Sequence, residues 1–526
     1  MPSPAPTTSP AETELKLALP ANAMRALRAH PLLGLKNASR LRLRNIYYDT
    51  PDLALMAARV AVRERFVGRR CLLTVKTAGT SQGGLSSRGE WEGPTRSGQF
   101  DFDDLVTDSA LAQQLSGLAW QLIPVFETHF VRHVWQVRFA DADIEVALDD
   151  GEVITGGPGK SGKSRVLRES IGELELELKS GAPEALYRFA LALMGDKIAL
   201  WPEDRSKAER GLALYTGKKV QPTKAAVKAW PGQTDSQAAF CAVALQEMAQ
   251  LGANCQGVRM AAHANERIGA QALPDPEYVH QIRVSIRRLR TALGVFGDAL
   301  PKPAQKAAAS WREAWGEAAA ALGAAREWDV LLTDWAPLWR EHEAVRALPP
   351  HARQAMERWA ANRRVAATQT AISHLDSPVF ARLTLEFLLW IHEQQTAKQK
   401  RPQPIARWAG KSIARQERRL HQLLKKGLSA EAPERHVWRL KIKKIRYAIE
   451  QLRGALPKRQ RQGLPLLARA QTHLGMLNDL RIAREMLTDA PSAGRAAWWL
   501  AIDDHERDGL GGLPHLSRAL RKHAPS

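Results

Sequence analysis

Hydrophobic and polar positions alternate with a period of two through the first two hundred residues. The clearest runs are Glu12-Thr-Glu-Leu-Lys16, Ala61-Val-Arg-Glu-Arg65, Cys71-Leu-Leu-Thr-Val-Lys76, Phe130-Val-Arg-His-Val-Trp135, Ile144-Glu-Val-Ala-Leu148 and Glu173-Leu-Glu-Leu-Glu-Leu-Lys179. Alternation of this kind, punctuated by Gly, Pro, Asp and Ser, predicts strands. In all but the least regular of these runs one face is charged. A sandwich buries an apolar inner face, so the pattern predicts a barrel with a polar lumen and a covered or solvated outside.

From about Thr234 the period changes. Long Ala/Leu/Arg/Glu/Gln-rich stretches with helical spacing are broken by Pro301-Lys-Pro303, Pro349-Pro350, Pro402 to Pro404 and Pro457, which predicts an all-α bundle. The expected organisation is an α+β multidomain chain: a β-barrel domain over 11–217, a linker over 218–233 and a helical domain over 234–524. The helical part repeats itself. His280-Gln-Ile-Arg-Val-Ser-Ile-Arg-Arg-Leu-Arg290 aligns with His436-Val-Trp-Arg-Leu-Lys-Ile-Lys-Lys-Ile-Arg446, and Leu322-Gly-Ala-Ala-Arg-Glu-Trp-Asp329 aligns more weakly with Leu474-Gly-Met-Leu-Asn-Asp-Leu-Arg481. Duplication of one helical plan is the economical reading.

Charge divides along the same boundary. The chain carries 76 Lys+Arg and 55 Asp+Glu, a formal net charge of +21; residues 1–217 hold 27 of each, leaving 49 basic and 28 acidic residues for the helical part. The second part therefore wants an anionic partner. Nucleic acid is a poor candidate, because no base-reading motif or aromatic stacking platform is present. Three scattered cysteines, Cys71, Cys241 and Cys255, make a disulfide framework or a structural zinc site unlikely. With no secretory signal and no apolar stretch of the ~18 residues that a membrane span needs, a cytoplasmic protein is expected.

Residues two apart on a strand share a face, so Glu12, Glu14 and Lys16 point one way, and Glu173, Glu175, Glu177 and Lys179 do likewise on another strand. An isolated Glu-x-Glu-x-Lys is most often a solvated face with cross-strand ion pairs. Two acidic rows inside one barrel, however, make a cation site, and ligands that are all oxygen favour Mg²⁺ or Mn²⁺ over zinc. Arg63, Arg65, Lys76, Arg88 and Arg132 lie in other strand-like runs, placed to hold the oxygens of a polyanion. Acids for a metal and bases for phosphate in one lumen are what phosphoryl transfer to water requires.

Glu12-Thr-Glu-Leu-Lys16 resembles the N-terminal E-x-E-x-K signature of the CYTH, or triphosphate tunnel metalloenzyme, family. Tyr47-Tyr-Asp-Thr-Pro51, Val62-Arg-Glu-Arg65, Thr74-Val-Lys76, Arg88-Gly-Glu90, Arg132, Asp149-Asp-Gly151, Glu173-Leu-Glu-Leu-Glu177 and Ser206-Lys-Ala-Glu-Arg-Gly211 follow in the family's order, covering about residues 11–216. The resemblance implies an eight-stranded antiparallel tunnel. Glu12, Glu14, Glu175 and Glu177 would serve a divalent metal, and Lys16, Arg63, Arg65, Lys76, Arg132 and Lys207 would hold the triphosphate, with Glu90, Asp149 and Glu173 as secondary acidic candidates. It implies metal-assisted hydrolysis of a triphosphate, and tripolyphosphate, cleaved to phosphate and pyrophosphate, is the expected substrate. Thiamine triphosphatase, adenylate cyclase and a non-catalytic polyphosphate-binding scaffold are the alternatives. Gly157-Pro-Gly-Lys-Ser-Gly-Lys163-Ser164 satisfies the Walker A pattern literally, but a P-loop must open a helix and this one runs into the Glu173–Lys179 alternation, so it reads as a hairpin loop.

On a helix, His280, Arg283, Arg287 and Arg290 form one stripe and His436, Arg439, Lys443 and Arg446 repeat it. Beside each runs an apolar row: Ile282, Ile286, Leu289 and Leu293, then Trp438, Ile442, Ile445 and Ile449. Residues 234–524 resemble the CHAD domain, whose histidines sit on a helical scaffold. That resemblance implies binding of inorganic polyphosphate by these residues, with Arg288 and Lys444 beside them. The paired stripes themselves predict a basic groove for a repeating anion in which histidine grips more tightly when protonated, and a location on polyphosphate granules is expected. Arg326 and Asp329 read as packing or ion-pair positions, because Asn478 and Arg481 replace them in the second copy.

Overall fold

A computed structural model describes residues 12–34, 38–77, 79–157, 165–195, 197–226, 230, 234–268, 273–397, 402–425 and 431–523. The chain divides into two compact units, one of residues 1–221 with 377–390 and one of residues 222–376 with 391–526. The linker read at 218–233 is described at 218–226 and 230 only. Among the described residues no helix is long and apolar enough to cross a membrane.

The first unit is built on an 11-stranded antiparallel sheet. Its strands are β1 (Glu12–Ala18), β2 (Ser39–Asp49), β3 (Val60–Val67), β4 (Arg70–Thr77), β5 (Thr80–Gln82), β6 (Leu85–Arg88), β7 (Glu90–Pro94), β8 (Ile123–Phe139), β9 (Ala142–Gly157), β10 (Arg165–Ser180) and β11 (Trp201–Pro202). Spatially they run β5-β6-β1-β10-β9-β8-β2-β3-β4-β7, with β11 beside β1. Strands β6 and β7 are one length of chain broken only at Gly89. β6 pairs with β1, Glu12 opposite Arg88, and β7 pairs with β4, Lys76 opposite Glu90. One stretch thus serves both ends of the sheet, which curls into a barrel. With β6 and β7 taken as one and the short β5 and β11 set aside, eight strands run round it.

The period-two pattern sorts side chains between the two faces. Outward-facing Leu15, Leu17, Ile144, Val146, Leu148, Leu174 and Leu176 are fully buried, as are Leu186, Tyr187, Phe189, Ala190 and Leu193 of the Glu184–Met194 helix that packs on β1 and β10. Each such leucine stabilises the fold by roughly 1.5–3 kcal/mol. Elsewhere Val62, Leu73 and Val75 are covered by Phe102, Val106 and Leu115. The lumen keeps the charges. Across neighbouring strands Glu14 faces Glu177, Lys16 faces Glu175, Glu173 faces Asp149, and Asp149 faces Arg132.

The Lys207–Thr216 helix lies across one end of the lumen, with Ala208 and Leu212 packed among Leu43, Tyr47, Phe126, Phe130, Val153 and Ile171. Its start is set by a capping box: Ser206 Oγ accepts from the Glu209 N–H, and the Glu209 carboxylate accepts from the Ser206 N–H at 2.7 Å. Gly211 is required where the helix meets Phe126, because a Cβ there would fall 2.0 Å from the ring. Gly211→Ala is expected to cost about 3 kcal/mol by overpacking. Denaturant titration should show an earlier loss of the β-sheet signal and an unmoved helical transition.

The second unit is helical. Its main members are Ser236–Ile268, Pro276–Val295, Lys302–Ala321, Gly323–Val330, Pro350–Leu375, Ile405–Lys425, Ala432–Leu452, Leu464–Met486 and Ser492–His523. The prolines mark helix starts: Pro301, Pro349 and Pro457 are N-caps, and Pro350 is the first helical residue after its cap. Both predicted apolar rows are buried. A second core gathers Trp328, Trp335, Trp339 and Trp498.

Candidate active site and anion-binding surface

The barrel encloses a cavity of about 1360 Å³, and its wall brings together all ten primary residues named from the sequence: Glu12, Glu14, Lys16, Arg63, Arg65, Lys76, Arg132, Glu175, Glu177 and Lys207. Glu90 and Arg88 line it too. Asp149 and Glu173 are fully buried beside it. Both pair with Lys207, whose Nζ lies 2.8 Å from Asp149, 2.7 Å from Glu173 and 2.8 Å from Glu175. Burial alone would lower the Lys207 ammonium, but these three carboxylates outweigh it and hold the group well above its usual range. Arg132 donates Nε and Nη2 to Asp149, both at 2.7 Å, and also binds Glu175. Burial would raise Glu175, yet Lys207 and Arg132 hold it well below the ordinary carboxylate range.

The oxygens of Asp149, Glu173 and Glu175 lie within 4.8 Å of one another. Lys207, Arg132 and Arg210 already neutralise this triad, so it is a poor first choice for a cation. The carboxylates of the neighbouring strand β1 suit one better. Glu12 Oε2 is buried without a hydrogen-bond partner, with Lys76 Nζ at 3.5 Å. Burial, and next the adjoining Glu90, push Glu12 up to about 8. Glu14 accepts from Ser86 Oγ at 3.1 Å and pairs with Arg88, with Lys16 at 3.8 Å. Glu177 stands opposite Glu14 in the register. Oxygen donors with one orphaned oxygen fit a hard divalent ion.

The cationic wall has spare donors. Arg63 donates Nη1 to the Tyr47 hydroxyl at 3.2 Å, while its Nε and Nη2 are buried with no hydrogen-bond partner, as is Arg88 Nε. Arg65 is held by Asn45 Oδ1 at 3.3 Å and Glu92 at 3.1 Å. Burial, and then Arg63, lower the Arg65 guanidinium to about 10. Sequence reasoning assigned no role to Tyr47, stacked on Phe126 at 4.4 Å, or to Arg210, which binds Glu173 and reaches Glu169 at 2.8 Å. The spacing of Arg210 from Lys207, three residues along one helix, was a readable signal.

In the helical unit the two basic stripes meet only in part. Burial, and next Arg287, lower Arg283; Arg439 is lowered by burial and by the same Arg287, against Asp479. Lys443 is brought down to about 6 by burial, then Arg287 and Arg439. Arg326 adds its charge to this centre, lowering both Arg283 and His280. Burial, and next Arg326, lower His280 to about 4. Asp329 does form an ion pair, with Arg364 at 2.7 Å.

Several expected contributors lie elsewhere. Arg288 is buried on another face, against Glu247 at 2.8 Å and Glu450 at 3.4 Å. Arg446 is tied to Glu450 at 2.6 Å and Gln471 at 2.8 Å, with its guanidinium over Tyr447 at 4.5 Å. His436 is exposed, 3.4 Å from Asn478. Arg290 and Lys444 turn toward Arg312.

Comparison with known proteins joins the two halves. The CYTH domain model matches residues 10–212 and the CHAD domain model matches residues 256–488. This chain carries a CYTH domain followed by a CHAD domain. Its CYTH part is similar to an inorganic triphosphatase of Haemophilus influenzae, 33% identical over 184 residues. That match covers 33% of this chain and 46% of the relative, so it spans less than half of the relative's length. The CHAD part is similar to the CHAD domain of the plant Ricinus communis, 25% identical with a TM-score of 0.43, over 58% of this chain and 99% of the other. A Hippeastrum protein, nominally an adenylyl cyclase and described as having a dominant triphosphatase activity, matches at 19% identity and a TM-score of 0.29, over 39% of this chain and 96% of its own. The Walker-like residues 158–164 of the CYTH domain lie outside the described residues. The chain resumes at Arg165 as strand β10, where a P-loop would open a helix.

Proposed function

We propose that the CYTH domain is a metal-dependent inorganic triphosphatase, hydrolysing tripolyphosphate to phosphate and pyrophosphate, and that the CHAD domain binds inorganic polyphosphate. The observation that carries the first part is the pairing of buried guanidinium N–H groups that lack acceptors, on Arg63 and Arg88, with an acidic wall around an orphaned Glu12 oxygen, in one cavity. Buried donors without partners are costly unless a ligand completes them, and three oxyanionic phosphates do so.

Glu12 and Glu14 on β1 and Glu177 on the adjoining β10 would hold Mg²⁺ or Mn²⁺, with Glu175, already bound by Lys207 and Arg132, beside them. The ion when bound would screen phosphate oxygens and lower the pKa of a bound water. The remaining work belongs to side chains. Arg63, Arg65, Lys76 and Lys16 donate to the phosphate oxygens and stabilise the charge that develops as the terminal P–O bond breaks and pyrophosphate leaves. Arg132 and Lys207 are held in place by Asp149 and Glu173 before substrate arrives, so orienting them costs little at the moment of reaction. The matching experiment is phosphate release from tripolyphosphate, ATP and thiamine triphosphate with Mg²⁺ and after chelation. Release from tripolyphosphate that is fastest of the three and stops with chelator is expected. Faster release from thiamine triphosphate, or conversion of ATP to a cyclic product, would replace this substrate with another, and no release would leave a polyphosphate receptor.

For the CHAD domain the reading rests on the Arg283, Arg287, Arg326, Arg439 and Lys443 centre, where like charges crowd against few acids. A cytoplasmic location on polyphosphate granules belongs to the same reading. A bound polyanion favours the protonated forms of Lys443, which faces Arg283, Arg287, Arg439 and Asp479, and of His280, which faces Arg326, Glu277, Arg287 and Asp334. Since both groups are depressed in the free protein, binding should take up protons near pH 7 and tighten as pH falls from about 8 to 6. Calorimetry in buffers of different ionisation enthalpy measures the uptake.

A further inference from the structure

Lys443 and Lys444 are neighbours in sequence, yet successive helical residues point about 100° apart, and the two lysines part company. Lys444 is lowered by burial and then by Lys441, Arg312 and Arg419, whereas Lys443 belongs to the Arg287 centre. These cations come from three helices, Lys302–Ala321, Ile405–Lys425 and Ala432–Leu452. Two of them border Gly294 together: a Cβ there would stand in ordinary contact with both, 3.4 Å from Arg312 Nη1 and 3.7 Å from Lys444 Nζ. A fourth helix adds Arg290, which lies flat on Gly316 and donates Nε to the Arg312 carbonyl at 3.1 Å. The acid facing Lys444 is Asp298, and Arg415 already pairs with it.

Cations gathered from several helices, without matching carboxylates, repel one another unless an anion lies between them. We propose that Arg312, Arg419, Lys441 and Lys444 form a second anion seat of the CHAD domain, separate from the Arg287–Lys443 centre, which takes further phosphates of the same polyphosphate chain. The inference rests on the polyphosphate reading above. The geometry supports one chain because Arg287 and Arg290, like Lys443 and Lys444, link the two seats within about one helical turn.

The test uses the full chain and long-chain polyphosphate, comparing wild type with K441Q/K444Q and, on another helix, R312Q, and with R287Q as the central control. K441Q/K444Q should weaken binding about tenfold at 0.1 M salt and reduce the slope of log affinity against log salt by about one to two, by analogy with phosphate contacts in single-stranded nucleic acid. R312Q should act in the same direction, and melting curves identical to wild type show that the fold is kept. If wild type binds polyphosphate and R287Q weakens it while K441Q/K444Q and R312Q bind as wild type, the second seat is wrong and the polyphosphate reading stands. If wild type does not bind, both fall. If K441Q/K444Q loses affinity for single-stranded DNA but not for polyphosphate, the seat serves nucleic acid and the proposal is overturned.

Discussion

Lys207→Met should destabilise the barrel by about 3–5 kcal/mol, the scale seen when one partner of a buried ion pair is removed. The substitution keeps the stem and deletes the ammonium, leaving Asp149 and Glu173, both fully buried, and Glu175 short of a shared partner. Arg132 and Arg210 remain but cannot move into the space at the centre of three carboxylates. For a unit of this size the loss corresponds to roughly 10 °C in Tm. It is read from the melting of the β-sheet signal, with the CHAD helices as an internal reference. Adding Asp149→Asn in the same chain should recover part of the loss, because one buried charge fewer then lacks a counter-ion. A Lys207→Met chain that melts with wild type would show that the network contributes nothing to folding.

The second large effect concerns activity. Glu12→Gln/Glu14→Gln keeps the shape of both side chains and removes two carboxyl groups from the acidic wall, the ionised one of Glu14 and the one of Glu12 that a bound cation would ionise. Phosphate release from tripolyphosphate is expected to fall about 10³-fold, equivalent to about 4 kcal/mol of transition-state stabilisation. Glu14 also balances Lys16 and Arg88, so a modest drop in Tm is expected alongside. Polyphosphate binding by the CHAD domain should be unchanged, which separates a lost reaction from a lost fold. Release within a few-fold of wild type would remove Glu12 and Glu14 from the metal site, and calorimetric titration with Mn²⁺ would then show whether any site remains.

Much of the first unit was legible because strand geometry is local. A period of two puts Glu12, Glu14 and Lys16 on one face whatever their partners are, and the same holds for Glu173, Glu175 and Glu177, so the lumen-facing set followed from the alternation together with the family resemblance. The helical repeat was legible for a similar reason: the apolar rows Ile282 to Leu293 and Trp438 to Ile449 are both buried as their spacing requires. Which carboxylate meets which cation is not local. Asp149, Glu173 and Glu175 look like metal ligands on paper, and only the fold brings Lys207 from a helix more than thirty residues downstream into their centre. Arg288 sits in the same basic run as Arg287, but the helix turns it toward Glu247, and Lys444 turns toward Arg312 in the same way. Sequence by itself determined the faces, the repeat and the charge division, since these depend on the dihedral period of the backbone and on residue type alone. Tertiary structure decided the pairing and the protonation states, because burial and Coulomb interaction depend on distances between segments far apart in the chain.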